Sequence, residues 1–506
     1  MKRPDAGGRR APARARSTSS GAPLAAALLA LASACYAVRP SHGGAQADFD
    51  GPRAVRASDV AVPPGYRIEV VATGLRFPTG VAFDAQGRPC VVESGYAYGE
   101  VFATPRLVRV EPDGSLATIA EGRDNGPWTG VVFDGGEFFV AEGGVREGGR
   151  ILRIGADGAI DVLVEDLPSR GDHHTNGPAI GPDGKLYFGV GTATNSGVVG
   201  EDNAKFGWLA RFPEFHDVPG ADVRLAGRDF TTRDVAGRET AVTGAFVPFG
   251  TRTEKGQVIR GSNRCTGSVL RIARGGGEPE LVAWGFRNPF GLAFSPAGEL
   301  FVTDNGYDVR GSRPVWGAGD LLWKVEQGRW YGWPDFSGGQ PVTREAFDPP
   351  GSPAPEFLLA EHPNAPPAPV ASFACHASAD GLDFARDPAF GFVGDAFVAE
   401  FGDQVPVTSK VLAPVGFKVV RVEIASGVIE DFATNRGERN GPASWLGRRG
   451  LERPVAVRFD PSGRALYVVD FGVLTQTGDQ ARPRIGTGVL WRITRAAAPA
   501  TAEVRR

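Results

Sequence analysis

The apolar positions of this chain fall into short runs paired across Gly-containing turns, and one such phrase occurs six times. A small residue leads an apolar run with an aromatic, a turn follows, and a second apolar run ends near an acid. The first two copies are Gly80-Val81-Ala82-Phe83-Asp84 with Val91-Val92-Glu93, and Gly130-Val131-Val132-Phe133-Asp134 with Phe139-Val140-Ala141-Glu142. The third is Pro178-Ala179-Ile180-Gly181-Pro182-Asp183-Gly184 with Leu186-Tyr187-Phe188, and the fourth Gly291-Leu292-Ala293-Phe294 with Leu300-Phe301-Val302-Thr303-Asp304. Gly381-Leu382-Asp383-Phe384 with Phe397-Val398-Ala399-Glu400 is the fifth, and Ala456-Val457-Arg458-Phe459 with Leu466-Tyr467-Val468-Val469-Asp470 the sixth. A third run follows most pairs, as in Leu107-Val108-Arg109-Val110 and Leu322-Trp323-Lys324-Val325, and often a fourth, as in Asp161-Val162-Leu163-Val164. Runs this short, bounded by Gly and Pro, predict β-strands.

Paired strands recurring at spacings of tens of residues predict a propeller or a solenoid. Four strands per unit and six units predict an all-β fold: a six-bladed β-propeller with four-stranded antiparallel blades over residues 62–496. The run beginning at Tyr66 is expected to complete the blade that ends with Leu490 to Ile493, closing the ring and removing free edges. A solenoid would need capping units, and none is visible. Copies three and four are the furthest apart because of an inserted loop at about 201–264, which carries Phe206, Trp208, Phe212, Phe215, Phe230 and Phe246. Loops of that length are usually functional or flexible.

Composition adds the compartment. Lys2, Arg3, Arg9, Arg10, Arg14 and Arg16 precede an apolar stretch from Ala22 to Ala34, too short to span a bilayer comfortably and ending in small residues. Residues 1–34 therefore read as an export signal peptide, 35–61 as a linker and 497–506 as a tail. The expected location is periplasmic or extracellular, and Cys35 after Ala32-Ser33-Ala34 also suits a lipid anchor. The remaining Cys90, Cys265 and Cys375 are no disulfide framework. Cys90 lies in an apolar strand as a buried thiol, and pairing of Cys265 with Cys375 is left open. The formal net charge of -3 gives no ground for a nucleic-acid partner. No C-x-x-C-H occurs, which excludes a covalently attached haem, and the six His show no zinc pattern.

In an antiparallel blade the lead-in to the first strand and the exit from the second lie on one face. Lead-in residues are Arg76; Asp124 and Asn125; Asp172, His173, His174 and Asn176; Arg287 and Asn288; His376, Ser378 and Asp380; and Arg453. Exit residues are Glu93, Glu142, Thr192 and Asn195, Asp304 and Asn305, Glu400, and Asp470. One mouth of the channel thus collects His, Arg, Asn and carboxylates, as a small-molecule site does. Five of six copies exit on an acid, so these acids also suit structural bonds to loop amides. His174 reads as a solvated loop residue. His173 can accept a substrate proton near neutral pH with a carboxylate such as Asp172 to orient it, although neighbours in a strand point to opposite sides. Arg287 offers a donor fork for a carboxylate-bearing ligand, and Pro289 restricts Asn288.

Asp172-His173-His174-Thr175-Asn176-Gly177, Gly267-Ser268-Val269-Leu270-Arg271, Trp284-Gly285-Phe286-Arg287-Asn288-Pro289-Phe290-Gly291 and Tyr331-Gly332-Trp333-Pro334 occur in that order. In these segments the chain resembles the soluble quinoprotein sugar dehydrogenases, the glucose/sorbosone dehydrogenase family. The resemblance implies a six-bladed propeller using pyrroloquinoline quinone (PQQ) and Ca2+ to oxidise a sugar or related alcohol or aldehyde, with an external electron acceptor. It implies His173 as general base, Arg287 beside the reacting carbonyl of the quinone, and Asn288 as a cofactor contact. Asn125 and Arg453 fall near further cofactor contacts, and the carbonyls of Gly306 and Tyr307 near the calcium. The family places a carboxylate after the second strand of blade 3 to support the His, where this chain has Gly191-Thr192. Asp172 or another acid is then expected to orient His173. Two other readings remain: a calcium-dependent lactonase whose metal sits among Glu93, Glu142, Asp304, Glu400 and Asp470, and a non-catalytic carbohydrate- or protein-binding propeller.

Overall fold

The computed structural model describes residues 48–97, 101–233, 240–404, 413–437, 439–477 and 480–496. The expected signal peptide, Cys35 and the tail lie outside the described residues. Six antiparallel sheets follow one another along the chain. Blade 1 runs Pro78–Phe83, Pro89–Glu93, Arg106–Val110 and Leu116–Glu121; blade 2 runs Trp128–Asp134, Glu137–Glu142, Gly149–Ile154 and Ile160–Leu167. Blade 3 runs Thr175–Ile180, Leu186–Val190, Ser268–Ile272 and Glu280–Trp284, and blade 4 Pro289–Phe294, Leu300–Asp304, Leu321–Lys324 and Ala371–Ser372. Blade 5 runs Ala379–Phe384, Ala396–Glu400, Lys418–Glu423 and Val428–Asn435. Blade 6 takes Pro454–Phe459, Ala465–Asp470 and Gly488–Arg495, and its outer strand is Tyr66–Leu75 from the other end of the chain. The first strands of successive blades pack together around the axis, and that of blade 6 meets that of blade 1. The fold is the six-bladed propeller the repeats predict.

Two features of the repeated phrase have packing causes. The small residue sits where neighbouring inner strands approach most closely: a Cβ on Gly130 would lie 2.4 Å from the carbonyl oxygen of Gly177, and one on Gly291 2.3 Å from that of Asp380. Threonine hydroxyls bridge the same seam, Thr79 to the Trp128 carbonyl at 2.6 Å and Thr129 to the Thr175 carbonyl at 2.7 Å. In four copies the aromatic of the phrase packs across a blade interface onto a second-strand aromatic of the preceding blade, whereas Phe133 meets Phe138 of its own blade. Phe83 meets Tyr467, Phe294 meets Tyr187, Phe384 meets Phe301 and Phe459 meets Phe397, with centroids 4.9 to 5.5 Å apart. Such tilted and edge-on pairs add to the burial of their area.

Three segments differ from the sequence expectation. Residues 53–61, read as linker, are packed: Val60–Ala61 pairs with the edge of blade 5, and Arg53 donates to Asp470 at 2.6 Å and to the Thr487 carbonyl at 2.8 Å. Between Val190 and Ser268 the inserted loop is folded, with short helices Glu201–Lys205 and Trp208–Arg211 and the hairpin Asp229–Arg233 with Thr240–Gly244. A second excursion separates the third and fourth strands of blade 4. Its Trp330, Trp333, Leu358 and Leu359 share one apolar cluster with Val198, Leu225 and Phe246 of the insertion. Cys90 and Cys265 are buried, Cys375 is half-buried, and none is bonded to another. Burial pushes the Cys90 and Cys265 thiols up to about 12. No helix among the described residues is long and apolar enough to cross a membrane.

The seam yields a test of the small-residue rule. Gly130→Val should lower stability by about 1–3 kcal/mol, the usual cost of overpacking where only backbone can yield, read as a fall in the thermal midpoint. Val131→Ile, one residue along, should move it far less.

Candidate active site

The strand-end acids hold the lead-in loops. Asp304 Oδ1 accepts the backbone N–H groups of Arg287 and Asn288 at 3.0 and 2.7 Å, and its Oδ2 accepts the Trp323 indole at 3.3 Å. Asp470 repeats this with the N–H groups of Glu452 and Arg453, both at 2.9 Å, and the Trp491 indole at 3.2 Å. Glu142 accepts Asn125 Nδ2 at 2.8 Å and the Trp128 indole at 3.1 Å, while Glu93 accepts the Arg76 N–H at 2.7 Å and pairs with Arg106. Burial pushes Asp304 up to about 6 despite its donors. Four of the five acids that the lactonase alternative gathers on one metal are thus engaged with amide, indole or guanidinium donors. Among the described residues no three His, Cys, Asp or Glu side chains are arranged to hold one.

Blade 3 lacks the acid, and there the lead-in pairs with the exit directly. The His173 N–H donates to the Thr192 carbonyl at 3.2 Å, and Nδ1 of the ring lies 2.9 Å from that carbonyl and 3.0 Å from Thr192 Oγ1. Thr192 N–H donates in turn to the Arg287 carbonyl at 2.8 Å, joining the exit of blade 3 to the lead-in of blade 4. Gly191 is required between them, because a Cβ there would sit 2.2 Å from the His173 Cβ and 3.1 Å from Asn288 Oδ1. His173 is 9% exposed. Burial, then the Arg287 and Arg310 cations, hold its imidazole well below the ordinary 6.5, so it is neutral at physiological pH.

Asp172 does not orient His173. Its carboxylate accepts instead from Asn203 Nδ2 at 3.1 Å and from Arg310 Nη1 at 2.6 Å, in the loop just before the strand Thr175–Ile180. Arg310 also donates to Asp202 at 2.7 Å and to Asp308 at 3.0 Å. Arg287, 4% exposed, donates to Asp308 at 2.8 Å and to Asn195 Oδ1 at 2.9 Å. Burial opposes ionisation of Asp308, but Arg287, Arg310 and His376 together hold it well below the usual carboxylate range. Asn288 Nδ2 donates to Asn305 Oδ1 at 2.8 Å and its Oδ1 accepts from Asn176 at 3.1 Å. Asn305, Gly306 and Tyr307 follow directly and line a narrow cavity with Arg287, Trp333 and Phe336. The structure thus brings His173, Arg287, Asn288, Gly306 and Tyr307 to one stretch of the mouth.

Asn125 and Arg453 stand apart from it. The Asn125 amide is consumed by Glu142, the Gly148 carbonyl and the N–H groups of Arg146 and Glu147, so it shapes the blade 2 exit loop. Arg453 is buried between the Phe401 and Phe417 rings and donates to the carbonyls of Gly402 and Asp403 at 3.1 and 3.0 Å. Asn125 and Arg453, which the resemblance sets near cofactor contacts, are thus each engaged by their own loops at the lead-ins of blades 2 and 6. His174 is half-buried rather than solvated, and burial lowers its imidazole to about 4. Sequence reasoning missed Arg310 and Asp308, which complete the cluster; the closely spaced charges just after Asn305-Gly306-Tyr307 were the only signal. It also missed Asp217, a buried carboxylate from the insertion that reaches the blade 3 exit.

Glu400 differs from the other strand-end acids, with Lys418 at 4.0 Å and no hydrogen bond among the described residues. Burial first, then Asp320 and Asp431, push it up to about 7 against Lys418. Its folded pKa exceeds its unfolded value of 4.5, so the fold binds the proton more tightly and stability falls as pH rises from about 4.5 to 7. Glu400→Gln should therefore stabilise the protein more at pH 8 than at pH 5, by up to about 3 kcal/mol, measured as the difference in urea midpoints.

No curated protein matches the chain. Among solved structures, the holo form of the pyranose dehydrogenase PQQ domain from Coprinopsis cinerea superposes with a TM-score of 0.52 at 15% identity, covering 89% of this chain and 100% of that one. The calcium structure of the Trichoderma reesei Carbohydrate-Active Enzymes Family AA12 protein gives 0.50 at 15% identity, covering 88% and 99%. The PQQ-bound aldose sugar dehydrogenase from Streptomyces coelicolor gives 0.48 at 18% identity, covering 86% and 99%. At these identities the first two speak for the fold alone. In sequence, residues 252–409, which contain Arg287, Asn288, Gly306 and Tyr307, match the Glucose / Sorbosone dehydrogenase family, the one the ordered motifs resemble.

Proposed function

We propose that this protein oxidises a sugar or related alcohol or aldehyde with PQQ and calcium as cofactors, passing the electrons to an external acceptor. The observation that carries the reading is a buried, neutral His173 joined through Thr192 to the backbone of Arg287, which is followed by Asn288 with its partner Asn305, between blades 3 and 4. The family match over residues 252–409 supports it independently of His173.

The residues fit both groups. The carbonyls of Gly306 and Tyr307 accept no hydrogen bond from described residues and border the cavity, which suits an oxygen-seeking cation. PQQ is a tricarboxylate, and the buried Arg287 and the amides of Asn288 and Asn305 are donors for such a ligand. The buried Nε2 of His376 also has no hydrogen-bond partner among the described residues, and its Nδ1 lies 3.5 Å from Asp308. When bound, the quinone supplies a two-electron acceptor for the hydride of the carbinol carbon, and calcium a Lewis acid beside it. His173 Nε2, which carries no hydrogen bond to a described residue, takes the hydroxyl proton as the C–H electron pair leaves, so proton and hydride separate cleanly. Arg287, locked by Asp308 and Asn195, keeps a fixed positive fork next to the developing negative charge. The basic and apolar start of the chain supports export of this activity, with Cys35 as a site for a lipid anchor.

Reconstitution with PQQ and calcium, assayed over a panel of sugars with an artificial electron acceptor, should give cofactor-dependent turnover. His173→Ala should lower it by at least about a hundredfold. No spectral change and no thermal shift at saturating PQQ would overturn the reading. Because burial depresses the imidazole pKa, the base stays unprotonated as pH falls through 6.5. The acidic limb of the kcat profile should accordingly lie below that value.

A further inference from the structure

We propose that Thr192, held from behind by Asp217 of the insertion, is the positioning residue that fixes the ring and tautomer of His173. The inference rests on the reading of His173 as the base. A backbone carbonyl can only accept, so Nδ1, 2.9 Å from the Thr192 carbonyl, must carry the ring proton. The Thr192 hydroxyl is also an acceptor toward the ring, because it donates its own hydrogen to the Thr194 carbonyl at 2.7 Å. Nδ1 therefore faces two acceptors from one residue, and the bare lone pair is left on Nε2. A carboxylate would orient the ring equally well, but it would also raise the basicity of the imidazole.

The carboxylate is displaced one layer outward. Asp217, 1% exposed, accepts the Ala193 N–H at 2.7 Å, the Thr194 hydroxyl at 2.5 Å and the Thr266 hydroxyl at 3.0 Å. It thereby fixes the turn that carries Thr192, and the Thr194 hydroxyl accepts the Gly197 N–H at 2.8 Å to close that turn. Asp217 lies between the second and third strands of blade 3, so the insertion supplies part of the support for the base. The charged groups facing His173 are Arg287, Arg310 and Asp308. Neighbouring Asp172 is engaged by Arg310 and Asn203.

Long-range 1H–15N spectra of the cofactor-free protein read the tautomer without any dependence on PQQ, so failure of this inference and failure of the cofactor reading are separable. We expect a single Nδ1–H form of His173. In Thr192→Val a methyl replaces an oxygen 3.0 Å from Nδ1, closer than carbon tolerates, so the ring must move. That variant should show a mixed tautomer signal and a kcat lower by about tenfold to a hundredfold with KM little changed, and Thr192→Ser should restore both. Thr192→Asp should raise the His173 pKa by about one unit or more and move the acidic limb upward, which a merely structural role would not do. Asp217→Asn should loosen the tautomer preference with Thr192 intact. An Nε2–H form in the unaltered protein, or a Val variant with unchanged tautomer and kcat, would overturn the proposal, and the first outcome does not depend on any variant folding.

Discussion

A carboxylate at the end of a second strand, accepting amide hydrogens from the lead-in to a first strand, is the interaction on which the mouth of this propeller depends. Asp304 and Asp470 bind two consecutive N–H groups each and an indole from the third strand, tying three strands to one loop. Buried amides must be satisfied somewhere, and a charged acceptor satisfies two with one side chain. The same bond that closes blade 4 therefore sets the backbone of Arg287 and Asn288. Structure and candidate chemistry share an atom, Asp304 Oδ1.

Around that atom the electrostatics alternate. Arg287 and Arg310 lie between Asp308, Asp172 and Asp202, with Asp308 shared by both cations. Burying so many charges gains little net stability, since desolvation offsets most of the attraction. What it gains is geometry: Arg287 has all three nitrogens engaged and Arg310 binds three carboxylates through Nε and Nη1. Burial first, and then the two cations, keep the adjacent imidazole neutral, so the cluster contributes to protonation as well as position.

The fold was legible because its causes are local and repeated. The small residue of the phrase answers to the seam between inner strands, and in four copies its aromatic answers to the preceding blade, so both recur with the strands. Arg287 and Asn288 were legible for the same reason, as the lead-in of a regular blade. Asn125 and Arg453 occupy equivalent positions and are engaged by their own loops, which position along a repeat does not reveal. Arg310, Asp308 and Asp217 were not legible because each acts on residues far away in sequence through loops that only one blade has. Residues 53–61 read as linker because a two-residue strand and one buried Arg leave no periodicity.

The outer strand of blade 6 has a consequence for how the chain reaches this state. Arg67 bonds to Thr494 across 427 residues, so the ring shuts only when both ends of the sequence have met. Until then Tyr66–Leu75 has no partner strand, and Gly488–Arg495 keeps an open edge able to recruit foreign strands. Pairing over such a separation is slow compared with local hairpins. A chain made or threaded in order must therefore shelter its first strand for the whole of its synthesis, and loss of the last blade would leave a wedge-shaped gap rather than a smaller ring.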